Sequence, residues 1–339
     1  RDLHSFPTRR SSDLAIGAHS AYKLNIPGET DYQVTDAIDL LRRVSLGERR
    51  KPGKRVVVIG GGNVAIDAAR TCLRLGCEEV TIAYRRTRNE MPADVEEVEQ
   101  AEEEGILFSF LTVPIAVEGK NGKPTGLRCL RAELVARDGS TRMSPVPVEG
   151  SDFVMPADVI IGAIGQRVEQ ACLEELAEMK WTRRGTIDVN MVSMETSVPG
   201  VFAAGDAVTG PATVIEAIGG GKRAAEAIDR YLSGIPQPKM PPVPVRRARV
   251  DSLEVPATTK MILKRPEMPL LALDRRRTTF QQVELGYPEN AVREEARRCL
   301  RCDICRRCGE CVEVCRDKMK VDALQRSEER RVGKECRSR

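Results

Sequence analysis

Continuous apolar runs alternate with amphipathic segments through the middle of the chain. Residues 55–59 (Arg-Val-Val-Val-Ile) form an apolar run that ends in glycines, which is typical of a buried parallel strand. The pattern that follows predicts a helix over residues 63–75, which Gly76 ends. A second strand is predicted over residues 79–84. This part of the chain is therefore predicted to form a strand–helix–strand unit.

Another helix and further strands continue this order. Pro92 suits the first turn of a helix that Gly105 caps. Strands are predicted over residues 106–111 and 158–164, on either side of a hairpin-like region at 127–150. The β-α-β-α-β order predicts an α/β fold with a doubly wound parallel sheet.

The flanking segments have different patterns. Residues 15–18 are predicted to be a strand end followed by a turn, and residues 36–44 a short amphipathic helix. Residues 199–233 combine a turn, a short strand, a Gly-Asp pair and a long helix. Residues 234–270 are rich in proline and arginine and are predicted to be an extended arm. A helix over about residues 288–300 then leads into a cysteine-rich segment.

Length and composition indicate a soluble globular protein. The 339 residues, of which 41% are apolar, leave room for about two domains. The sequence contains no apolar run long enough for a membrane span and no secretory signal, so neither is expected. Cysteine-rich sequence without an export signal favours a reducing cytoplasm.

The net charge of +4 comes from the two ends of the chain. Residues 1–14 carry a net charge of +1 and residues 326–339 one of +3, so the middle is neutral and nucleic-acid binding is not favoured. Both ends resemble translated adapter or vector sequence and are predicted to be artefactual or disordered tails. Outside them His19 is the only histidine, so histidine catalysis is not expected and no catalytic residue is assigned.

A glycine-rich turn joins the first predicted strand to its helix. The sequence from Gly60 to Ala65 matches G-x-G-x-x-A: Gly60 permits the sharp turn, Gly62 lets the backbone approach a pyrophosphate, and Ala65 allows close helix–strand packing. The helix N-terminus, with Asn63 and Val64, would offer N–H groups to the anion. Because a strand and a helix flank the motif on the correct sides, it predicts a dinucleotide site.

Two arginines, Arg85 and Arg86, follow the second predicted strand. An NAD site would carry an Asp or Glu here for the ribose. A guanidinium binds phosphate bidentately, so the pair favours the 2′-phosphate of NADPH, with NADH the less favoured cofactor. The alternative is a solvated pair of surface charges.

Six of the eleven cysteines fall in one short stretch: Cys299, Cys302, Cys305, Cys308, Cys311 and Cys315. The last four have the C-x₂-C-x₂-C-x₃-C spacing of a bacterial ferredoxin, which favours a [4Fe–4S] cluster over zinc or disulfides. Cys305, Cys308 and Cys311 are the firmest ligands of one cluster, Cys315 would serve that cluster or a second one, and Cys299 and Cys302 would supply part of another. Four cysteines in apolar segments are predicted to be buried structural thiols: Cys72, Cys77, Cys129 and Cys172.

A second nucleotide signal lies at residues 199–207 (Pro-Gly-Val-Phe-Ala-Ala-Gly-Asp-Ala). A Gly-Asp pair after a short strand can place a carboxylate against a ribityl hydroxyl. The helix that starts at Thr213 could face its N-terminus towards the isoalloxazine ring. The alternative is an ordinary strand–loop–helix unit.

With these motifs the chain resembles the glutamate synthase small-subunit family of FAD- and iron–sulfur-containing pyridine nucleotide oxidoreductases. It is also similar to the electron-entry part of dihydropyrimidine dehydrogenase. The resemblance extends over about residues 15–325. The segments that carry it are residues 60–70, 84–86, 90–93, 163–166, 205–206 and 295–302.

The resemblance implies a Rossmann-like NAD(P)-binding domain inserted in a split FAD-binding domain. By position, the residues against FAD would be Gly205, Asp206 and Val214, and those lining the junction with the NADPH domain would be Ala163, Gly165 and Gln166. The implied segments, in order, are the end of the first FAD half with a connector (15–48), the NAD(P) domain (49–167), the second FAD half (168–235), the arm (236–287) and the iron–sulfur segment (288–325).

Some features depart from the family. The first FAD half lacks its own G-x-G-x-x-G strand, so the chain is expected to be truncated at its N-terminus and to lack the contacts with the adenine end of FAD. The cysteine segment follows the flavin domain, whereas family cysteines commonly precede it. Arg316 stands where a proline usually follows the last cysteine.

The resemblance implies an oxidoreductase in which electrons pass from NADPH through FAD to a [4Fe–4S] cluster. The acceptor would be a protein partner or a larger catalytic subunit, whose identity stays open. A thioredoxin reductase-like enzyme would need a C-x-x-C pair beside the flavin, which Cys72 and Cys77 do not supply. The remaining alternative is a non-catalytic scaffold subunit that grips a partner through its cysteine segment, or a zinc-binding version of it.

Overall fold

The computed structural model describes residues 12–136, 143–176, 178–237 and 266–297. These residues divide into two units. The first unit comprises the described chain up to Gln237 together with Leu271–Gln281, and the second comprises residues 266–270 and 282–297.

The described strands and helices are as follows. In chain order the strands are β1 (Ser12–Leu14), β2 (Ser20–Ala21), β3 (Thr35–Asp36), β4 (Arg55–Ile59), β5 (Glu79–Ala83), β6 (Leu107–Ser109), β7 (Thr112–Lys120), β8 (Lys123–Val135), β9 (Ser144–Pro147), β10 (Phe153–Pro156), β11 (Val159–Gly162), β12 (Gln166–Arg167) and β13 (Val201–Ala203). The α-helices are α1 (Ala37–Ser45), α2 (Asn63–Arg74), α3 (Val95–Glu103), α4 (Asp206–Thr209), α5 (Val214–Leu232), α6 (Leu273–Arg276) and α7 (Glu289–Arg297). Two 3₁₀ turns lie at Arg88–Glu90 and Gln170–Leu173.

A five-stranded parallel sheet forms the centre of the first unit, with the strand order β3-β11-β4-β5-β6. Strand β4 is buried on both faces. Val56 and Val58 pack with α1, α2 and α3, whereas Val57 and Ile59 pack on the opposite side. The predicted strand–helix–strand unit is confirmed to within one residue at each boundary.

The opposite face is covered by an antiparallel sheet. Its strand order is β10-β8-β7, and β9 also pairs with β8. Leu127 and Cys129 of β8 are fully buried and pack with Val57 and Ile59. The prediction of a doubly wound sheet is therefore wrong for this face, because a doubly wound sheet has helices on both faces.

The antiparallel sheet begins earlier in the chain than the predicted hairpin-like region. A two-residue turn, Asn121-Gly122, joins β7 to β8, and both residues have positive φ (54° and 70°). Positive φ at both positions is the geometry of a type I′ hairpin turn, which Asn-Gly favours. Lys120 and Lys123 pair directly across this turn.

The start of α3 also differs from the prediction. Asp94 is the N-cap, and its side chain accepts a hydrogen bond from the backbone N–H of Glu96 at 2.9 Å. Pro92 lies before the cap in the loop, where the next residue, Ala93, donates its N–H to the carbonyl of Gly61 at 3.1 Å. The prediction that Pro92 opens the helix is wrong because Asp94 supplies a capping carboxylate, which a proline lacks.

A smaller segment comprises β1, β13, α4 and α5, and we name it the second nucleotide half after its predicted role. Strand β1 pairs in parallel with β13, and α5 packs on β13 through Phe202, Ala224 and Ala227. The strand, Gly-Asp pair and long helix predicted over residues 199–233 are confirmed. Strand β1 falls within the segment predicted to be a tail, so its three residues belong to the folded chain.

A buried ion-pair network ties α2 to α3. Glu104, which follows α3, is fully buried. Its carboxylate oxygens accept hydrogen bonds from Nη2 and Nε of Arg70 at 2.6 and 3.0 Å. Nη2 of Arg74 lies 3.6 Å from Oε1 of Glu104. Two guanidinium groups therefore share one buried carboxylate.

Residues Leu271–Gln281, which we name the strap, pack against the ends of the same helices. Arg276 is buried: its carbonyl accepts a hydrogen bond from Nε of Arg74 at 2.9 Å, and its Nη2 donates to Oε2 of Glu103 at 2.9 Å. The guanidinium of Arg49 lies 4.3 Å from the ring centre of Phe280. Part of the segment predicted to be an extended arm therefore packs on the first unit.

The segment after the strap is helical, as predicted. The helix predicted over about residues 288–300 is described as α7, Glu289–Arg297, in the second unit. Within the described ranges, none of the helices combines the length and apolar character that crossing a membrane requires.

Replacing Glu104 with Gln should destabilise the first unit strongly. The substitution keeps the shape of the side chain but removes the buried charge that Arg70 and Arg74 share, so we expect a loss of about 3–5 kcal/mol. The free energy of unfolding would be measured by urea titration followed by circular dichroism. The matched control is Glu102→Gln, whose ion pair with Arg88 is exposed and should contribute below about 1 kcal/mol. Equal losses in the two variants would contradict the network.

Candidate functional site

The glycine-rich turn between β4 and α2 lies at the carboxyl edge of the parallel sheet. Gly60 has φ = +150°, and a Cβ placed on it would lie 2.3 Å from the carbonyl oxygen of Ala163. A Cβ on Gly61 would lie 2.4 Å from the ring of Tyr84. The nearest atom to a Cβ on Gly62 is 3.9 Å away, in Pro92. The first two glycines are therefore required by packing, whereas a Cβ on Gly62 would make only an ordinary van der Waals contact with Pro92.

The N-terminus of α2 is arranged for an anion. Gly62 is the N-cap, provides no side-chain cap, and the first turn contains no acidic residue. The first N–H groups of a helix have no carbonyl partner inside it, so they can bind an anion that approaches Gly62. Ala65 is fully buried, in agreement with the close packing predicted for it. The side chain of Asn63 is directed elsewhere, because its Oδ1 accepts a hydrogen bond from the backbone N–H of Asp94 at 2.9 Å.

The arginine pair after β5 divides into two environments. Arg85 is exposed, whereas Arg86 is half-buried and its Nε donates to the carbonyl oxygen of Met143 at 2.9 Å. Arg86 is thereby anchored to the loop that precedes β9. Arg85 is thus the more accessible of the two arginines at the carboxyl end of β5.

Tyr84 is a site residue that sequence reasoning missed. It is buried beneath Gly61, and its hydroxyl donates to the carbonyl oxygen of Glu90 at 2.8 Å. Its ring therefore supports the glycine turn from below. The signal available in the sequence was an aromatic residue at the end of a predicted strand, directly before two arginines.

The predicted junction residues lie beside the glycine turn. The N–H of Ala163 donates to the carbonyl of Ile59 at 2.8 Å, which extends the pairing of β11 with β4 by one bond. Gly165 has φ = +116° and its carbonyl accepts the N–H of Tyr22 at 3.1 Å. Gln166 pairs with Ala21 in the two-stranded link between β12 and β2. The segment that follows β11 therefore contacts the glycine turn through Ala163 and, three residues later, pairs with β2 through Gln166.

The second nucleotide half brings Gly205 against α5. Gly205 has φ = +68°, and a Cβ on Gly220 of α5 would lie 3.1 Å from the backbone nitrogen of Gly205. Asp206 is half-buried and begins the short helix α4. Thr213 caps α5 in a capping box with Glu216, and the next residue, Val214, is 75% exposed. The predicted residues Gly205, Asp206 and Val214 thus lie in the strand–loop–helix segment that begins at β13.

The six cysteines predicted to bind a cluster, Cys299, Cys302, Cys305, Cys308, Cys311 and Cys315, lie outside the described residues. Within the described ranges, no group of three or more histidine, cysteine, aspartate or glutamate side chains could hold a metal ion. Cys72, Cys77 and Cys129 are buried as predicted, whereas Cys172 is exposed, so the prediction is wrong for Cys172. The 3₁₀ turn that contains Cys172 buries Leu173 instead.

A glycine turn at the carboxyl edge of a parallel sheet, followed by a second strand–loop–helix segment, is typical of the dinucleotide-binding α/β class. The model of the pyridine nucleotide-disulphide oxidoreductase family matches residues 14–221. The chain belongs to this family, and the predicted class of NAD(P)H-dependent oxidoreductase is confirmed.

The relatives also agree with the predicted resemblance. The chain is 40% identical over 298 residues to the NADP(+)-dependent formate dehydrogenase subunit beta of Moorella thermoacetica, a match that covers 85% of this chain and 42% of that protein. It is 36% identical over 330 residues to the NADPH-Fe(3+) oxidoreductase subunit beta of Geobacter sulfurreducens, covering 85% and 48%. It is 38% identical over 247 residues to the glutamate synthase [NADPH] small chain of Azospirillum brasilense, covering 67% and 50%. The chain thus spans half or less of the length of these relatives.

Solved structures share the fold. FprA from Mycobacterium tuberculosis in complex with NADPH superposes with a TM-score of 0.53 at 22% identity, covering 66% of this chain and 64% of that one. Thioredoxin reductase from T. acidophilum gives a TM-score of 0.50 at 24% identity, with 64% of each chain covered. The predicted arrangement of Rossmann-like nucleotide domains is confirmed at the level of fold.

Alanine substitutions should distinguish the two ends of the glycine turn. Gly60→Ala would force a methyl group onto the carbonyl of Ala163 at an unfavourable φ, so we expect a loss of at least about 2 kcal/mol. Gly62→Ala has room and an ordinary φ of −95°, so its cost should stay below about 1 kcal/mol. Urea titration of both variants measures the difference. If Gly62→Ala were the more destabilised variant, the packing role assigned to Gly60 would be wrong.

Proposed function

We propose that the chain is the nucleotide-binding part of an NADPH-dependent oxidoreductase that delivers electrons, through FAD, to its own iron–sulfur segment and then to a protein partner. The observation that carries this proposal is the turn at Gly62, which is partly exposed, has no tight neighbour and leaves the helix N-terminus without a side-chain cap. A pyrophosphate can approach such a turn closely and accept hydrogen bonds from its N–H groups.

The proposed NADPH site uses backbone for the pyrophosphate and a side chain for the 2′-phosphate. Gly62, Asn63 and Val64 contribute N–H groups at the start of α2. Arg85 reaches the 2′-phosphate from the end of β5, and Arg86 contributes its terminal nitrogens while its Nε stays bound to Met143. The residues proposed to line the path towards the second half are Ala163, Gly165 and Gln166.

The proposed FAD site lies in the second nucleotide half. The donor set fits a flavin nucleotide: Asp206 offers a half-buried carboxylate to a ribityl hydroxyl, and the positive φ of Gly205 lets the backbone turn close to α5. Val214 and Ile215, both about three-quarters exposed, offer an apolar surface to an aromatic ring. When bound, FAD takes up a hydride from reduced nicotinamide and gives up single electrons.

The proposed cluster rests on spacing and on the extent of two relatives. The [4Fe–4S] ligands would come from the six-cysteine segment, with Cys305, Cys308 and Cys311 as the firmest. The formate dehydrogenase and NADPH-Fe(3+) oxidoreductase subunits match 85% of the chain, a larger share than residues 1–237 make up. These two matches therefore continue beyond the second nucleotide half.

The proposed partner is a further protein subunit. The relatives named above are called subunits or a small chain, which supports assembly with a larger protein. The acceptor is proposed only as a class: a protein that takes single electrons from a cluster.

Replacing Arg85 with Ala should weaken NADP⁺ binding selectively. Loss of a charged hydrogen bond to the 2′-phosphate should raise the Kd for NADP⁺ about 10- to 100-fold and leave the Kd for NAD⁺ nearly unchanged. Isothermal titration calorimetry on the full chain measures both constants. Gly62→Ala should instead weaken both nucleotides, because both carry the pyrophosphate.

The control for Arg85 is Arg128→Ala, which removes an exposed arginine that is ion-paired with Glu118 in the antiparallel sheet. This variant should bind both nucleotides as the unchanged chain does. If Arg85→Ala weakened NADP⁺ and NAD⁺ equally, or if Arg128→Ala had the same effect, the assignment of the 2′-phosphate to Arg85 would be wrong.

The full chain purified without oxygen should contain iron and acid-labile sulfide, at about four of each per [4Fe–4S] cluster, and give an EPR signal on reduction. Changing both Cys305 and Cys308 to Ser should abolish the iron, whereas Cys172→Ser should not. Stoichiometric zinc without iron would refute the cluster and support a zinc-binding scaffold.

A further inference from the structure

The C-terminal end of α2 holds two cysteines in a fixed turn. Gly76 has φ = +88°, its N–H bonds to the carbonyl of Leu73 at 2.9 Å, and the N–H of Cys77 bonds to the carbonyl of Cys72 at 3.1 Å. These two bonds and the left-handed glycine define a Schellman motif. In that motif the residues at the positions of Cys72 and Cys77 come side by side. The turn therefore brings two thiols together that are five residues apart in sequence.

The two side chains lie in the same part of the core. Both belong to the apolar cluster between α2 and the parallel sheet, and they are 0% and 5% exposed. Cys77 lies just below the surface, because its neighbours Gly76 and Glu78 are both exposed. Of the two thiols, Cys77 is therefore the more accessible to a reagent.

The two sulfurs are chemically unequal. The two thiols interact with each other. This interaction, together with a backbone hydrogen bond from Gly53 and the charge of Lys51, lowers the pKa of Cys77. The same interaction, together with burial, raises the pKa of Cys72. Cys77 lies nearer the surface and has the lowered pKa, so it is the nucleophile of the pair.

The other two thiols among the described residues, Cys129 and Cys172, are not paired with a second thiol. Burial raises the pKa of Cys129 to about 12, and its Sγ donates to the carbonyl of Leu127 within its own strand. Cys172 is exposed, and its Sγ donates to the carbonyl of Glu169. Each of these cysteines is therefore bonded to backbone rather than to another thiol.

We propose that Cys72 and Cys77 form a reversible intramolecular disulfide when the protein meets a low-molecular-weight disulfide such as glutathione disulfide. The Cys77 thiolate attacks one sulfur of the reagent, whose S–S bond breaks, and one glutathione thiolate leaves. Cys72 then gives up its proton, and its sulfur attacks the Cys77 sulfur of the mixed disulfide. The second glutathione leaves and takes that proton. Two electrons thus pass from the cysteine pair to the reagent.

This site is separate from the proposed electron path. Helix α2 has 12 residues and is about 18 Å long, so the pair lies at the end of the helix opposite to the turn at Gly62. The disulfide would close the C-terminal end of the helix and leave its N-terminus unchanged. The pair is therefore a modification site of the nucleotide domain, and its test does not depend on bound nucleotide.

The test uses the full chain, glutathione disulfide and peptide mass spectrometry. After incubation, remaining thiols are alkylated with iodoacetamide under denaturing conditions, and the protein is digested with trypsin. Cleavage after Arg70, Arg74 and Arg85 places the two cysteines on separate peptides, Thr71–Arg74 and Leu75–Arg85. We expect these peptides as one disulfide-linked species that dithiothreitol separates. It should form at least about tenfold faster than any adduct of Cys129, whose thiolate is scarce and buried.

Two internal controls and one variant keep the outcome unambiguous. Cys172 should acquire glutathione without forming a link, which shows that the reagent is active. Cys129 should be recovered only in its alkylated form, because a folded protein keeps this buried thiol from glutathione disulfide during the incubation. In Cys72→Ser, Cys77 should be recovered as a glutathione adduct, because the second step is blocked. The proposal is overturned if the linked species is absent while Cys172 is modified, or if Cys77 links to a different cysteine.

Discussion

The carbonyl oxygen of Ala163 lies so close to Gly60 that even a methyl group could not be added there without moving the backbone. This contact exists because β11 and β4 are neighbouring parallel strands whose carboxyl ends finish together. Gly61 is held in the same way by the ring of Tyr84, whose hydroxyl is bonded to Glu90. With two of three glycines fixed by packing, the third, Gly62, is left partly exposed and without a tight contact at the start of α2. The shape of the glycine turn is thus a consequence of the close approach of β4 and β11 at their carboxyl ends.

The two ends of α2 have opposite roles. At its C-terminal end the helix is fixed by the carboxylate shared between Arg70 and Arg74, by the carbonyl of Arg276 in the strap, and by the Schellman turn at Gly76. At its N-terminal end no side chain caps it. Cationic side chains near a helix C-terminus also complement its dipole. A helix anchored at one end can present its N–H groups at the other in a constant position, which anion binding requires.

The sequence predicted the features whose causes are local. The apolar run of β4, the glycine turn, the amphipathic α2 and the strand–loop–helix around Gly205 were all found to within a residue or two. The antiparallel sheet was placed only in part, although Asn121-Gly122 is a strong local signal for its first hairpin. The strap was not predicted, because its contacts join residues far apart in sequence: Arg276 meets Arg74 and Glu103. The different environments of Arg85 and Arg86 likewise depend on Met143, which no pattern near the arginines reveals.

The N-termini of α2 and α5 differ in charge and capping, and these differences favour different parts of the two proposed nucleotides. Helix α2 begins at a glycine and carries no acid in its first turn, so its N–H groups favour a phosphate. The N-cap of helix α5 is Thr213, whose capping box with Glu216 occupies the N–H groups of these two residues and adds a negative charge. That charge disfavours a phosphate, whereas the exposed Val214 and Ile215 favour an uncharged ring. These two helix starts therefore support the proposal that the pyrophosphate of a nicotinamide cofactor binds at α2 and that an uncharged aromatic ring binds at α5.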